Sequence, residues 1–160
     1  MKSLIVFLLV FLPCYVFAQH EHENMPMPRA AEIDPGVGKV HHIVSTSNAS
    51  AQQFFDQGLA YMYAFNHDEA VKSFKQAAVL DPDLALAYWG VALARGSNYN
   101  LQADPGQLTE AYQNLQKAQA LAAKVSARDR AYIEAHRVRI EFARVWASAD
   151  TKMLVEDLYR

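Results

Sequence analysis

Residues 54–82 read FFDQGLAYMYAFNHDEAVKSFKQAAVLDP, and this stretch decides the fold. Phe55, Leu59 and Met62 recur at helical spacing, and so do Phe54, Gly58 and Tyr61. The pattern predicts a helix over about 49–65, capped by Asn48. A second helix is expected over about 67–80, opened by Asn66 and Glu69 in N-x-x-E form and stopped by Pro82. So short a turn forces the two helices side by side. Close packing then needs small groups at the crossing, here Gly58 against Ala70 and Ala77, with Phe54, Tyr61 and Phe74 filling the seam.

The same hairpin recurs. A shift of about 34 residues carries Phe54 to Tyr88, Phe55 to Trp89, Gly58 to Ala92 and Leu59 to Leu93. A shift of about 41 carries Ala70 to Ala111, Phe74 to Leu115 and Ala77 to Ala118, so the second unit holds a longer loop. Its helices are expected over about 84–96, capped by Asp83 and ended at Gly96, and from Asp104-Pro105 to about 123. Ser126 and Asp129 introduce a fifth helix over about 127–146, and a sixth should start near Asp150. No segment alternates as a strand does, so the fold class is all-α, built of antiparallel helix-turn-helix units.

The first unit resembles a tetratricopeptide repeat, whose pattern is W-x2-L-G-x2-Y, then A-x3-F, then proline. Phe54, Gly58, Tyr61, Ala70, Phe74, Ala77 and Pro82 stand at the expected offsets. Gln57 replaces the usual leucine, and Phe65-Asn66 occupies the turn where the family prefers glycine, with Asn66 the residue suited to a left-handed turn. The resemblance divides residues 48–160 into repeats at about 51–84 and 85–125 and a partial third unit at 126–160. The stretch also looks like the beginning of longer secreted bacterial repeat proteins of unassigned function. On that reading the chain, which stops at LVEDLYR, is an α-solenoid fragment, or the non-catalytic N-terminal part of a larger enzyme.

The first 18 residues read as a secretory signal: Lys2, an apolar run from Leu4 to Phe17, and Val16-Phe17-Ala18 as the cleavage pattern. Export to the periplasm or exterior follows, with no membrane association after cleavage. Cleavage would remove Cys14, the only cysteine, so stability must come from packing rather than disulfides. A formal charge of −2 offers no basic surface for nucleic acid. Residues 19–47 read as a flexible His/Met/Pro-rich leader followed by an extended segment, KVHHIVSTS.

In repeats of this kind the first helix of each pair lines the concave side. That places Gln52, Phe55, Leu59, Met62, Leu86, Trp89 and Leu93 in an apolar groove, and the implied function is binding of a protein or peptide. The resemblance implies no clamp for acidic tails, because Phe55 and Leu59 stand where such clamps carry basic or amide groups. So large an apolar stripe must be covered, by a partner or by the chain's own segment 37–47. A second binding candidate is the loop at Asn98, Tyr99 and Asn100, since insertions in repeat arrays gather on one face.

His20, His22, Met25 and Met27 offer imidazole and thioether ligands suited to copper or zinc; the alternative is a solvated polar leader without metal. Of the adjacent pair His41-His42 only one could join such a site, because neighbours on an extended segment point apart. His67 is expected as a packing residue and His136 as a surface residue. Asp129, Glu134 and Glu141 are expected on an exposed helix face. No catalytic motif is present, and the expected function is not enzymatic.

Overall fold

The computed structural model describes residues 31–98, 100 and 102–146. Five α-helices account for the described fold: α1 (Ala49–Tyr63), α2 (His67–Leu80), α3 (Ala85–Arg95), α4 (Pro105–Leu121) and α5 (Ala127–Trp146). One turn of 3-10 helix, Ala122–Lys124, follows α4. No strand occurs among the described residues. The segment read as a signal, the expected sixth helix and most of the expected leader lie outside them.

Each helix packs on the next, and α3 also touches both α1 and α5. The odd helices therefore form one layer and α2 and α4 the other. The helix starts are chemically specified. The Asn48 side chain accepts from the N–H groups of Ser50 and Ala51 at 3.0 and 3.1 Å. Asp104 and Gln107 close a reciprocal capping box behind Pro105, and Ser126 Oγ accepts from Asp129 N.

Three local expectations need correction. Asp83 does not cap α3: its carboxylate meets Lys124, and the capping position is Leu84, with no side-chain bond. The left-handed residue of the α1–α2 turn is Phe65 (φ 58°), not Asn66, which caps α2 instead. Phe65 N–H bonds the Met62 carbonyl and Asn66 N–H the Tyr61 carbonyl, closing the orphan groups of the helix end in a Schellman arrangement. And Glu32 and Asp34, expected in the flexible leader, are bonded to α1, as described below.

The crossing of α1 and α2 is tight at Gly58, but the group that meets the glycine there is the Phe74 ring rather than Ala70 or Ala77. Phe74 is fully buried. A Cβ on Gly58 would lie 2.5 Å from the Phe74 ring, and a Cβ on Gly90 of α3 would also lie 2.5 Å from it. The ring is thus held between two bare helix backbones, with Phe55 tilted against it at 5.5 Å. Leu84, Leu86, Val91, Leu115, Ile133 and Ile140 extend this core through the stack.

Because the ring cannot retreat from one glycine without meeting the other, Gly90→Ala should cost about 1–3 kcal/mol of stability. The same substitution made in a Phe74→Leu background should cost clearly less. Denaturant unfolding of the four proteins checks this, and equal costs in both backgrounds would remove the steric argument.

Candidate functional site

On α1, Gln52, Phe55, Asp56, Leu59 and Met62 share the face turned toward α3. Its first half is already occupied. Residues 40–46 run across it as an extended strap. His42 N–H donates to Asp56 Oδ1 at 3.0 Å, and Gln52 Nε2 donates to the His42 carbonyl at 2.9 Å. Val44 N–H donates to Gln52 Oε1 at 3.1 Å, and the Val44 side chain is buried. A further Gln52–Asp56 bond of 2.9 Å fixes the two reading side chains against each other.

The strap then reaches α5. Ser45 donates from both its N–H and its hydroxyl to Asp129, at 3.1 and 2.7 Å, while its hydroxyl accepts from Ser126 N–H. Arg128 donates to the Ile43 carbonyl. Thr46 donates to Asp81, and Asn48 Nδ2 donates to the Leu80 carbonyl, tying the strap to the α2–α3 corner. At about 1 kcal/mol for each bond, and more for those to carboxylates, this set holds the strap as part of the fold rather than as a loose cover.

Upstream, Gln57 explains its own departure from leucine. Its carboxamide is buried and accepts from Asp34 N–H, while its amide donates to the Glu32 carbonyl and to Ser73 Oγ. Tyr61 donates to Asp34 at 2.8 Å; the acceptor carboxylate pushes the phenol up to about 12, and the same bond holds the Asp34 carboxyl below its usual range. Residues 32–34 thereby cover the outer edge of the first hairpin.

The predicted groove residues fall into two groups. Phe55 and Leu86 are fully buried and Leu59 nearly so, and Gln52 holds the strap, so these four do not form a free surface. Met62, Trp89 and Leu93 are only half-buried. The Trp89 indole donates to the Tyr132 carbonyl at 3.1 Å, with the Tyr132 and His136 rings 5.6 and 6.2 Å away.

Two residues of α5 read as surface groups are in fact interior. Asp129 is 1% exposed, because it accepts the strap. Only Glu134 and Glu141 stay near solvent, where both pair with Arg137. His136 is buried under Trp89, and burial together with the nearby Arg139 charge lowers it to about 4, against the Ala92 carbonyl, which pulls it upward. Arg139 donates to the Ser97 carbonyl at 2.6 Å and has no carboxylate partner among the described residues. The interior role of Asp129 was half-visible as the S-x-x-D start of α5. The partners Ser45, Asp56 and Gly90 carried no signal of their own.

The α3–α4 loop is tied at its base, where Ala103 N–H donates to Ser97 Oγ and Asn100 N–H to Asn98 Oδ1. Asn98 lines a cavity of about 260 Å³ with Phe65, His67, Arg95 and Gln107. His67 Nδ1 is buried without a hydrogen-bond partner, in keeping with a packing residue. Tyr99 lies outside the described residues, as do His20, His22, Met25 and Met27. Among the described residues, no three His, Cys, Asp or Glu side chains gather as a metal site, and no helix is long and apolar enough to cross a membrane.

No family model matches the chain, and no curated protein or solved structure matches it with significance.

Trp89→Ala should destabilise the fold by about 3 kcal/mol, since the indole is packed on α5 rather than standing in an open groove. An unfolding midpoint left unchanged would contradict the packing. The His136 ring is kept neutral in the fold, while in the unfolded chain it takes a proton near 6.5. The protein should therefore lose up to about 1.4 kcal/mol per pH unit from this group as pH falls from 6.5 toward 4, and no more below that. His136→Gln should flatten that slope in urea melts, and the wild-type ring should titrate near 4 by NMR.

Proposed function

We propose that the chain is a non-enzymatic, exported scaffold of the tetratricopeptide type that binds an extended segment of a partner protein. One observation carries this reading: the concave face already holds an extended backbone. Asp56 and Gln52 bond the N–H and carbonyl of His42 and the N–H of Val44, a mode of recognition that depends on main chain and not on sequence. The half of the face left beside the strap, with Met62, Trp89 and Leu93, is apolar and half-exposed. A partner segment would lie there, next to the strap, and bury that surface. The two-layer hairpin stack with odd helices inside supports the tetratricopeptide reading, and the signal-like first 18 residues support export.

Peptides selected from a random display library on the intact protein supply the test. Their affinity should fall at least tenfold in Met62→Asp and in Leu93→Asp, with circular dichroism unchanged. Selected peptides that bind both variants as well as the wild type would place recognition elsewhere and end this proposal.

A further inference from the structure

A ladder of rings joins the strap, α5 and α3. His42 of the strap lies edge-on to Tyr132 at 5.5 Å, Tyr132 lies 5.6 Å from Trp89, and Trp89 lies 6.2 Å from His136. Trp89 is half-buried and belongs to the surface with Met62 and Leu93. His136, at the end of the ladder, is only 5% exposed. One of its ring nitrogens bonds the Ala92 carbonyl, and Nε2 is buried with no hydrogen-bond partner among the described residues. A neutral imidazole tolerates this place, because Nε2 then holds only a lone pair. An imidazolium carries a second donor, which would be buried without an acceptor.

The charges of the packed elements do not offset that cost. On α5 the nearby charge is Arg139, which repels a second cation. Glu134 and Glu141 pair with Arg137, and Asp129 is taken by Ser45 and Arg128. The charged residue of α3, Arg95, pairs with Asp68 and Glu110. On α4, Glu110 also holds Lys75, Lys117 lies over the Tyr88 ring and Tyr112 packs on the core. On the strap, His41 pairs with Asp56 and the His42 ring meets Tyr132. The least disruptive way to admit a proton on His136 is for its ring to turn out from under Trp89.

We infer that His136 is an acid-operated release for the partner surface: when it takes up a proton its ring turns out to solvent, the Trp89 indole loses its seat on α5, and a segment bound over Met62, Trp89 and Leu93 is let go. The strap stays in place, because Ser45 holds Asp129 near the start of α5, about two turns before His136. In its place the ring is held down to about 4, and once solvated it returns to about 6.5. The seated form therefore loses ground as pH falls from 6.5, by up to about tenfold for each pH unit and about 300-fold in all, with no further loss below 4. The inference rests on the peptide-binding reading for its partner, so one arm of the test needs no peptide.

Trp146→Phe leaves Trp89 as the only indole of the chain. In that protein the emission should shift to the red and quenching by acrylamide should rise as pH falls from 7 to 4.5, while far-UV circular dichroism stays unchanged. His136→Gln added to it, or His136→Phe should the glutamine variant unfold, should show neither change. The second arm uses display-selected peptides that lack Asp, Glu and His, so that any pH effect belongs to the protein. Their affinity should fall at least threefold between pH 7 and 4.5 on the unaltered protein and stay level on the His136 variant. An indole signal level with pH, the same red shift without His136, helix lost in step with the shift, or peptides held equally at both pH values would each overturn the inference. Failure to select any peptide would end the binding reading alone, and the indole arm would still decide whether the ring is released.

Discussion

The packing of the described fold turns on the confinement of one ring. Phe74 sits on α2 with Gly58 of α1 on one side and Gly90 of α3 on the other. Neither neighbour has a side chain there, so both helix backbones close on the ring. That sets how near α1 and α3 approach α2, and hence that α1 and α3 meet each other on the inner side. Phe55, tilted against the same ring, carries the confinement to the face on which the strap lies. A bulkier group at either glycine would spread the layers and loosen the surface on which the strap lies.

The strap depends on that surface and in turn completes it. Asp56 and Gln52 would be a charged and a polar group on an otherwise apolar helix face. With the strap present, each is spent on backbone groups that would otherwise lack partners. Asp129 is the more demanding case, because a carboxylate 1% exposed costs several kcal/mol unless satisfied. Ser45 satisfies one oxygen with two donors, and Arg128 approaches the other at 3.6 Å. The exposed ion pairs that link the outer helices, such as Arg95 with Asp68 and Glu110, contribute far less.

What the sequence revealed follows from which interactions are local. Helix starts at Asn48, Asn66, Asp104 and Ser126 were readable, because a cap acts on residues two or three positions away. The Gly58 crossing was readable because its hairpin is contiguous. Gly90 was not, since its partner Phe74 belongs to the preceding helix pair and nothing in the spacing links them. The burial of His136 and Asp129 was hidden for the same reason: their partners, Trp89 and Ser45, are separated from them by long stretches of chain. Asp83 misled because a good capping residue competes with whatever else its carboxylate can reach, here Lys124. Which of the candidate groove positions are filled and which are half-exposed depends on where residues 40–46 lie, and the spacing does not carry that.

The bond between Ser45 and Asp129 joins residues 84 apart in sequence. A plain stack of hairpins is nearly one-dimensional: each unit answers to its neighbours, and an end can unravel while the middle persists. Here the strap that precedes α1 is fastened to α5, so the stack is closed into a ring of contacts. Unravelling from the α5 end must release the strap, which exposes Val44 and Phe55 and so reaches back to the first hairpin. The closure raises contact order and slows the last stage of folding, since the helices must be in place before the strap has a surface to join. In return, the helices open as one unit rather than by fraying.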